Sequence, residues 1–163
     1  MSKVLYKIYG IGNDIVKISR FSKNSDNERF LRRAFHQQEI DRFYHLKTVN
    51  QEKALQYLAG RWAAKESVYK AFRGIDRSRL PFPNIKIASR DDGSPVVELQ
   101  DSTMELANQL NIANIHLSIS HDEDYAIANV ILEEKLILDQ QHQQRQTDHC
   151  FITDDIGNNS RSK

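Results

Sequence analysis

Three groups of residues in this chain have the types that metal-assisted chemistry on phosphates uses. Asp14 follows Gly10-Ile11-Gly12-Asn13 at the end of an apolar stretch. Glu66 lies within Arg61-Trp62-Ala63-Ala64-Lys65-Glu66-Ser67-Val68-Tyr69-Lys70-Ala71. Ser118, Ser120 and His121 close a run of alternating apolar and polar residues. Glu66 is the oddest of these. At about 100° per residue, Leu55, Leu58, Trp62 and Tyr69 share one helical stripe, and Glu66 falls about 40° from Trp62, inside it. A carboxylate turned towards apolar surroundings needs a partner. Lys70, one turn on, is the plain candidate, an i,i+4 pair of about 0.3–0.5 kcal/mol. A hard cation is the other, since Mg²⁺ takes one or two carboxylates and completes its shell with water and substrate phosphates. Arg61, Lys65, Lys70 and His121 are then candidates to hold those phosphates. Asp14 reads equally well as a turn or N-cap residue. The spacing alone does not bring the three groups together.

The elements that must position them can be read from pattern. Val4 to Tyr9 is rich in β-branched and aromatic residues and predicts a strand, with Gly10 and Gly12 permitting a bulge or a close backbone approach. A helix is expected over Gln37 to Lys47. After a linker at 48–51, a long helix is expected from about Glu52 to Phe72, closed by Arg73-Gly74. Asn84–Arg90 and Pro95–Leu99 predict a hairpin about the turn Asp91-Asp92-Gly93-Ser94. Ser102–Leu110 predicts a short helix with Ser102 as N-cap and Glu105 in a capping box. Ile115–Ser120 and Tyr125–Ile131 predict a second hairpin, with His121–Asp124 as its polar loop. The expected class is α+β: a small, mostly antiparallel sheet, joined by the N-terminal strand, packed against a long central helix. A domain over residues 1–134 precedes a polar tail, 135–163, whose glutamine-rich start and sparse apolar content predict disorder.

Composition narrows the function classes. The net charge is +1, which hides a basic block between Lys17 and Arg33: Lys17, Arg20, Lys23, Arg29, Arg32 and Arg33 against Asp26 and Glu28. It is either a solvated face or a docking surface for an acidic partner; no nucleic-acid recognition module accompanies it. No apolar run spans a membrane, and the N-terminus has no secretory pattern. The single cysteine, Cys150, excludes an intrachain disulfide framework and fits a reducing compartment. There is no Walker loop, GxGxxG, paired CxxC or HExxH. Ser120-His121-Asp122 lacks the nucleophile elbow of a hydrolase triad.

Taken in order, Gly10-Ile11-Gly12-Asn13-Asp14-Ile15-Val16 with Arg20, then Gly60-Arg61-Trp62-Ala63-Ala64-Lys65-Glu66 with Lys70-Ala71, then Ser118-Ile119-Ser120-His121 with Tyr125-Ala126, resemble the holo-[acyl-carrier-protein] synthase family of 4′-phosphopantetheinyl transferases. Asp92-Gly93-Ser94-Pro95 is similar to the family's Gly-x-Pro turn. The likeness spans about residues 8 to 132. Asn13 and Ser67 depart from the apolar residues usual there, and the residues after Glu134 have no counterpart. The resemblance implies the family's fold and its reaction: transfer of 4′-phosphopantetheine from coenzyme A to a serine of apo acyl carrier protein, releasing adenosine 3′,5′-bisphosphate, in support of fatty acid biosynthesis. It implies Asp14 and Glu66 as Mg²⁺ ligands, Glu66 and Lys70 as catalytic residues, and Arg61, Lys65, Ser120 and His121 as coenzyme A contacts. It leaves the proton acceptor open between Glu66 and a metal-bound water. Arg20, Arg29, Arg32 and Arg33 would face the acidic carrier protein. A homotrimer is also implied, with mitochondrion as the expected location and bacterial cytoplasm as the alternative.

Overall fold

The computed structural model describes residues 3–73 and 77–138. Strand β1 (Lys3–Lys17) is followed by a 3-10 turn (Ile18–Phe21), then helices α1 (Glu28–Ala34), α2 (Gln37–Val49) and α3 (Gln51–Ala71). After two further 3-10 turns come β2 (Ile85–Ser89), β3 (Pro95–Leu99), α4 (Asp101–Gln109), β4 (Ile112–Asp122) and β5 (Tyr125–Leu138). The strands form two antiparallel sheets rather than one: β1-β5-β4, and the β2-β3 hairpin.

The long central helix is α3. Its buried residues are mostly small: Ala54, Ala59, Gly60, Ala63, Ala64, Ser67 and Ala71, with Leu58, Val68 and Lys65. These let strand backbones approach closely, so α3 lies against β1 and β5 on one side and against α2 on another. The expected apolar stripe is therefore revised. Leu58 is buried, but Leu55, Trp62 and Tyr69 are only half-buried at the margin, where Trp62 meets Phe21, Phe30, Phe35 and Phe82. A helix enclosed on several sides has no single buried stripe.

The glycines of β1 set its distance from α3. A Cβ on Gly12 would stand 1.8 Å from the Ser67 carbonyl oxygen, and one on Gly10 would stand 2.0 Å from that of Ala71. The register shifts between Ile8 and Gly10, a bulge that leaves Tyr9 unpaired. β1 then continues to Lys17 rather than stopping at Tyr9, so Asp14 lies inside a strand opposite Ala128 and is neither a turn nor a cap residue.

Asn50 alone separates α2 from α3; its side chain accepts from the Lys53 N–H at 2.9 Å, so the expected linker is already helical. Helix α4 begins at Asp101 with Gln100 as N-cap and no side-chain cap. Ser102 donates instead to the Arg79 carbonyl at 3.3 Å, which replaces the expected capping box. The second hairpin is longer than expected, β4 reaching Asp122 and β5 reaching Leu138. The last strand thus runs past the expected boundary at 134, and its end pairs with Lys3. The expectation for residues 139–163, Cys150 included, lies outside the described residues.

Candidate active site

Pairing of Asp14 with Ala128, which is buried against α3, turns the Asp14 side chain towards the helix. There Lys70 reaches it: Nζ lies 2.8 Å from Asp14 Oδ1 and also donates to the Asn13 carbonyl at 2.8 Å. Lys70 therefore pairs with the strand, not simply with Glu66 one turn before it. Glu66 is half-buried on the same stretch of helix. Burial, chiefly, and the Asp14 charge push its carboxyl above the ordinary range, against the opposing charges of Lys70 and Arg20. Asp14, Glu66 and Lys70 thus form one electrostatically coupled cluster at the crossing of β1 and α3. The donors are two carboxylates of like charge beside a backbone carbonyl, all hard oxygen atoms, which is a fit to Mg²⁺ with water and phosphate oxygens completing the shell. No cluster of three or more His, Cys, Asp or Glu occurs among the described residues, so a cage made wholly of protein is not what this site offers.

Arg20 is exposed on the turn after β1. That turn is held by Asp124, whose carboxylate accepts from the Ser19 N–H at 2.8 Å and the Ser19 hydroxyl at 2.6 Å. These bonds hold the Asp124 carboxyl below its ordinary range. Arg29, Arg32 and Arg33 are exposed on α1, which Asn27 caps by accepting from the Phe30 N–H. Arg29 and Arg33 border a cavity of about 570 Å³ whose floor includes Phe30, Trp62 and Phe82. Trp62 precedes Glu66 by one turn, so the basic helix and the carboxylates adjoin through an aromatic floor.

Arg61 points elsewhere. Its guanidinium lies 4.2 Å from the Tyr57 ring centroid and donates to Ser89 Oγ at 3.2 Å. Its Nε is buried with no partner among the described residues. Arg42 and Lys86 border the same cavity, of about 420 Å³.

One expectation needs correction. Lys65 does not face a ligand. It is fully buried, its ammonium lies 2.8 Å from Glu39 Oε2, and it donates to the Phe82 and Ile85 carbonyls. Every ammonium proton is already used, and Glu39 in turn accepts from the His36 and Ile87 N–H groups. Burial pulls the Lys65 pKa down while the Glu39 charge opposes it. Ser120 does not join the carboxylates within one chain. Ile119 lies against Gly60 of α3, so strand alternation turns Ser120 to the opposite face of the sheet. His121 returns to the helix side, where its Nδ1 lies 2.9 Å from Gln56 Nε2, but Gln56 precedes Glu66 by ten residues, about 15 Å of helix.

Sequence reasoning passed over three residues: Asn13 through its carbonyl, Glu39 as the partner of Lys65, and Gln56. A lysine flanked by Ala63, Ala64 and Val68 was the signal for a buried pair; nothing local pointed to Gln56.

The model of the 4′-phosphopantetheinyl transferase superfamily matches residues 10–130, and the chain belongs to that superfamily. It is 40% identical over 130 residues to the holo-[acyl-carrier-protein] synthase of Hydrogenovibrio crunogenus, covering 78% of this chain and 98% of that protein. It is 36% identical over 128 residues to the Bacillus subtilis synthase, with 77% and 96% covered. Among solved structures, the Neisseria meningitidis synthase matches with a TM-score of 0.69 and 30% identity, over 77% of this chain and 98% of that one. The Bacillus anthracis synthase, in complex with CoA (3′,5′-ADP), matches with a TM-score of 0.63 and 30% identity, over 78% and 97%.

Proposed function

We propose that this chain transfers 4′-phosphopantetheine from coenzyme A to a serine hydroxyl of apo acyl carrier protein, releasing adenosine 3′,5′-bisphosphate. The observation that carries the reading is the Asp14–Glu66–Lys70 cluster in a chain of this superfamily. In the reaction a serine Oγ–P bond forms as the P–O bond to the adenosine bisphosphate breaks, and the hydroxyl proton must leave. Asp14 and Glu66 are the residues that would hold Mg²⁺. When bound, it supplies positive charge to the pyrophosphate, polarising the phosphorus and neutralising the leaving group. Lys70 keeps an ammonium beside the same oxygens, where negative charge builds as the bond breaks. Glu66 is one acceptor available for the hydroxyl proton, and a water beside it is the other. Arg61 and His121 contact the phosphates of coenzyme A further along α3.

Arg20, Arg29, Arg32 and Arg33 meet the acidic surface of the carrier protein and steer its approach. The sheet face away from α3 exposes Tyr6, Ile8, Ile11 and Ile15, between 52% and 64% accessible. An apolar face of this kind supports burial against further copies, as in a homotrimer. Holo carrier protein made this way serves fatty acid biosynthesis. The bacterial origin of the two curated relatives supports the cytoplasm over the mitochondrion.

The direct test is to incubate the protein with coenzyme A, Mg²⁺ and an apo carrier protein and to weigh the carrier. A gain of one phosphopantetheine is expected. Binding of coenzyme A without any gain in mass would reduce the chain to a binding module, and the transferase reading would fail.

A further inference from the structure

Gln56 has no part in the site as described above. It stands half-buried on the face of α3 that meets the end of β4, and its amide nitrogen lies 2.9 Å from His121 Nδ1. The contact joins residues 65 apart in sequence, so it exists only because β4 returns alongside the first half of α3. His121 is exposed, and its Nε2 has no partner among the described residues.

The chemistry of the pair is directional. An amide NH₂ has no lone pair to offer, so a Gln56 nitrogen facing Nδ1 makes Nδ1 the acceptor and places the ring proton on Nε2. If the ring becomes an imidazolium, the amide can turn over and accept from Nδ1–H through its oxygen. The proton on Nε2 remains in both states. With its nitrogen on Nδ1, as it stands in the structure, the amide selects the Nε2–H tautomer over the neutral Nδ1–H form, which leaves Nε2 bare. Gln56 thus serves both states in which Nε2 is a donor, and it holds the ring plane against the helix.

We propose that Gln56 is a positioning residue for the transfer reaction: it orients His121 and keeps a proton on Nε2, so that His121 donates to a phosphate oxygen of coenzyme A. The proposal rests on the assignment of His121 to those phosphates. It adds a residue that touches no substrate and acts through the ring it holds.

The test uses the full chain with three single variants and one double. Gln56→Met keeps the length of the side chain and removes its hydrogen bonding. It raises KM for coenzyme A about 5–10-fold, the size expected for one ordinary hydrogen bond lost, with kcat within about twofold. Long-range ¹H–¹⁵N spectra of the free protein show His121 with its proton on Nε2, and in Gln56→Met a mixture of tautomers. Gln56→Glu pairs with the ring as an imidazolium, protonated on both nitrogens, so at about pH 6 it keeps Nε2 a donor and restores KM. His121→Ala raises KM at least as much as Gln56→Met, and adding Gln56→Met to His121→Ala changes nothing further.

An unchanged KM and an unchanged ring spectrum in Gln56→Met overturn the proposal, as does full additivity in the double variant. If His121→Ala leaves KM for coenzyme A unaltered, the phosphate assignment falls and this inference falls with it, while carrier modification by the wild type stands. A Gln56→Met chain that fails to fold leaves the decision to Gln56→Glu. Its ring spectrum must show Nε2 protonated, and a bare Nε2 with unchanged KM refutes the role.

Discussion

Glu66 sits in an environment that disfavours its charge in the absence of a cation. Its pKa is raised in the folded chain, so between the ordinary glutamate value of 4.5 and the raised value the native state binds more protons than the unfolded state. Stability therefore falls as pH rises through that window. Glu66→Gln removes this cost: without metal, the variant melts at a higher temperature than wild type at pH 7–8, the gap closes as pH falls towards 4.5, and transfer is lost by about 100-fold or more. A variant that keeps full activity refutes the role assigned to Glu66. Lys65, its neighbour, behaves oppositely because its partner is protein. Lys65→Met alone strands the Glu39 carboxylate and costs about 3–5 kcal/mol in urea unfolding, whereas Lys65→Met with Glu39→Leu recovers most of the loss.

The element that decides the geometry is the contact of β1 with α3. Gly12 lets the strand backbone lie on the Ser67 carbonyl, and two residues later the same strand brings Asp14 to Lys70. Gly12→Ala places a methyl carbon where an oxygen already stands, 1.8 Å away, and the obstructing atom is helix backbone, which cannot turn aside. The expected cost is about 3 kcal/mol or more. At temperatures where the variant stays folded, activity falls further than the folded fraction does, because the strand that carries Asp14 is lifted from the helix. Equal loss of folding and activity would show that the contact matters to stability alone.

For the molecule as a whole, a near-neutral net charge conceals an uneven distribution. The basic surface of Arg20, Arg29, Arg32 and Arg33 acts at a distance comparable with the Debye length of about 8–10 Å. The KM for an acidic carrier protein should therefore rise steeply between low and physiological salt. Arg33→Glu should flatten that dependence. On the sheet face turned away from α3, Ile11 of the edge strand β1 is 64% accessible. Under the proposed homotrimer, Ile11→Glu is expected to shift sedimentation towards the single chain; a single-chain profile in the wild type, or an unchanged profile in the variant, counts against burial of this face.

Much of this molecule was legible before its fold. The alternation of Ile115, Leu117 and Ile119 marked a half-buried strand because side-chain direction in a strand has a period of two, and the order of the aspartate, helix and histidine motifs marked the superfamily. The helix and strand types followed from local pattern, which depends on neighbours in sequence. What local pattern could not decide was which side chains meet. Lys65 and Lys70 are both lysines on one helix, five residues apart, yet the packing of α2 against α3 buries the first on Glu39 while the strand β1 claims the second for Asp14. Asp14 resembled a turn residue until the sheet showed its strand running on to Lys17. His121 looked like a loop residue until β4 carried it to Gln56. The sequence by itself determined the kinds of element and the chemistry available. The tertiary structure alone decided which charges are neutralised inside the protein and which are left to meet a substrate, because that depends on contacts between residues far apart in the chain.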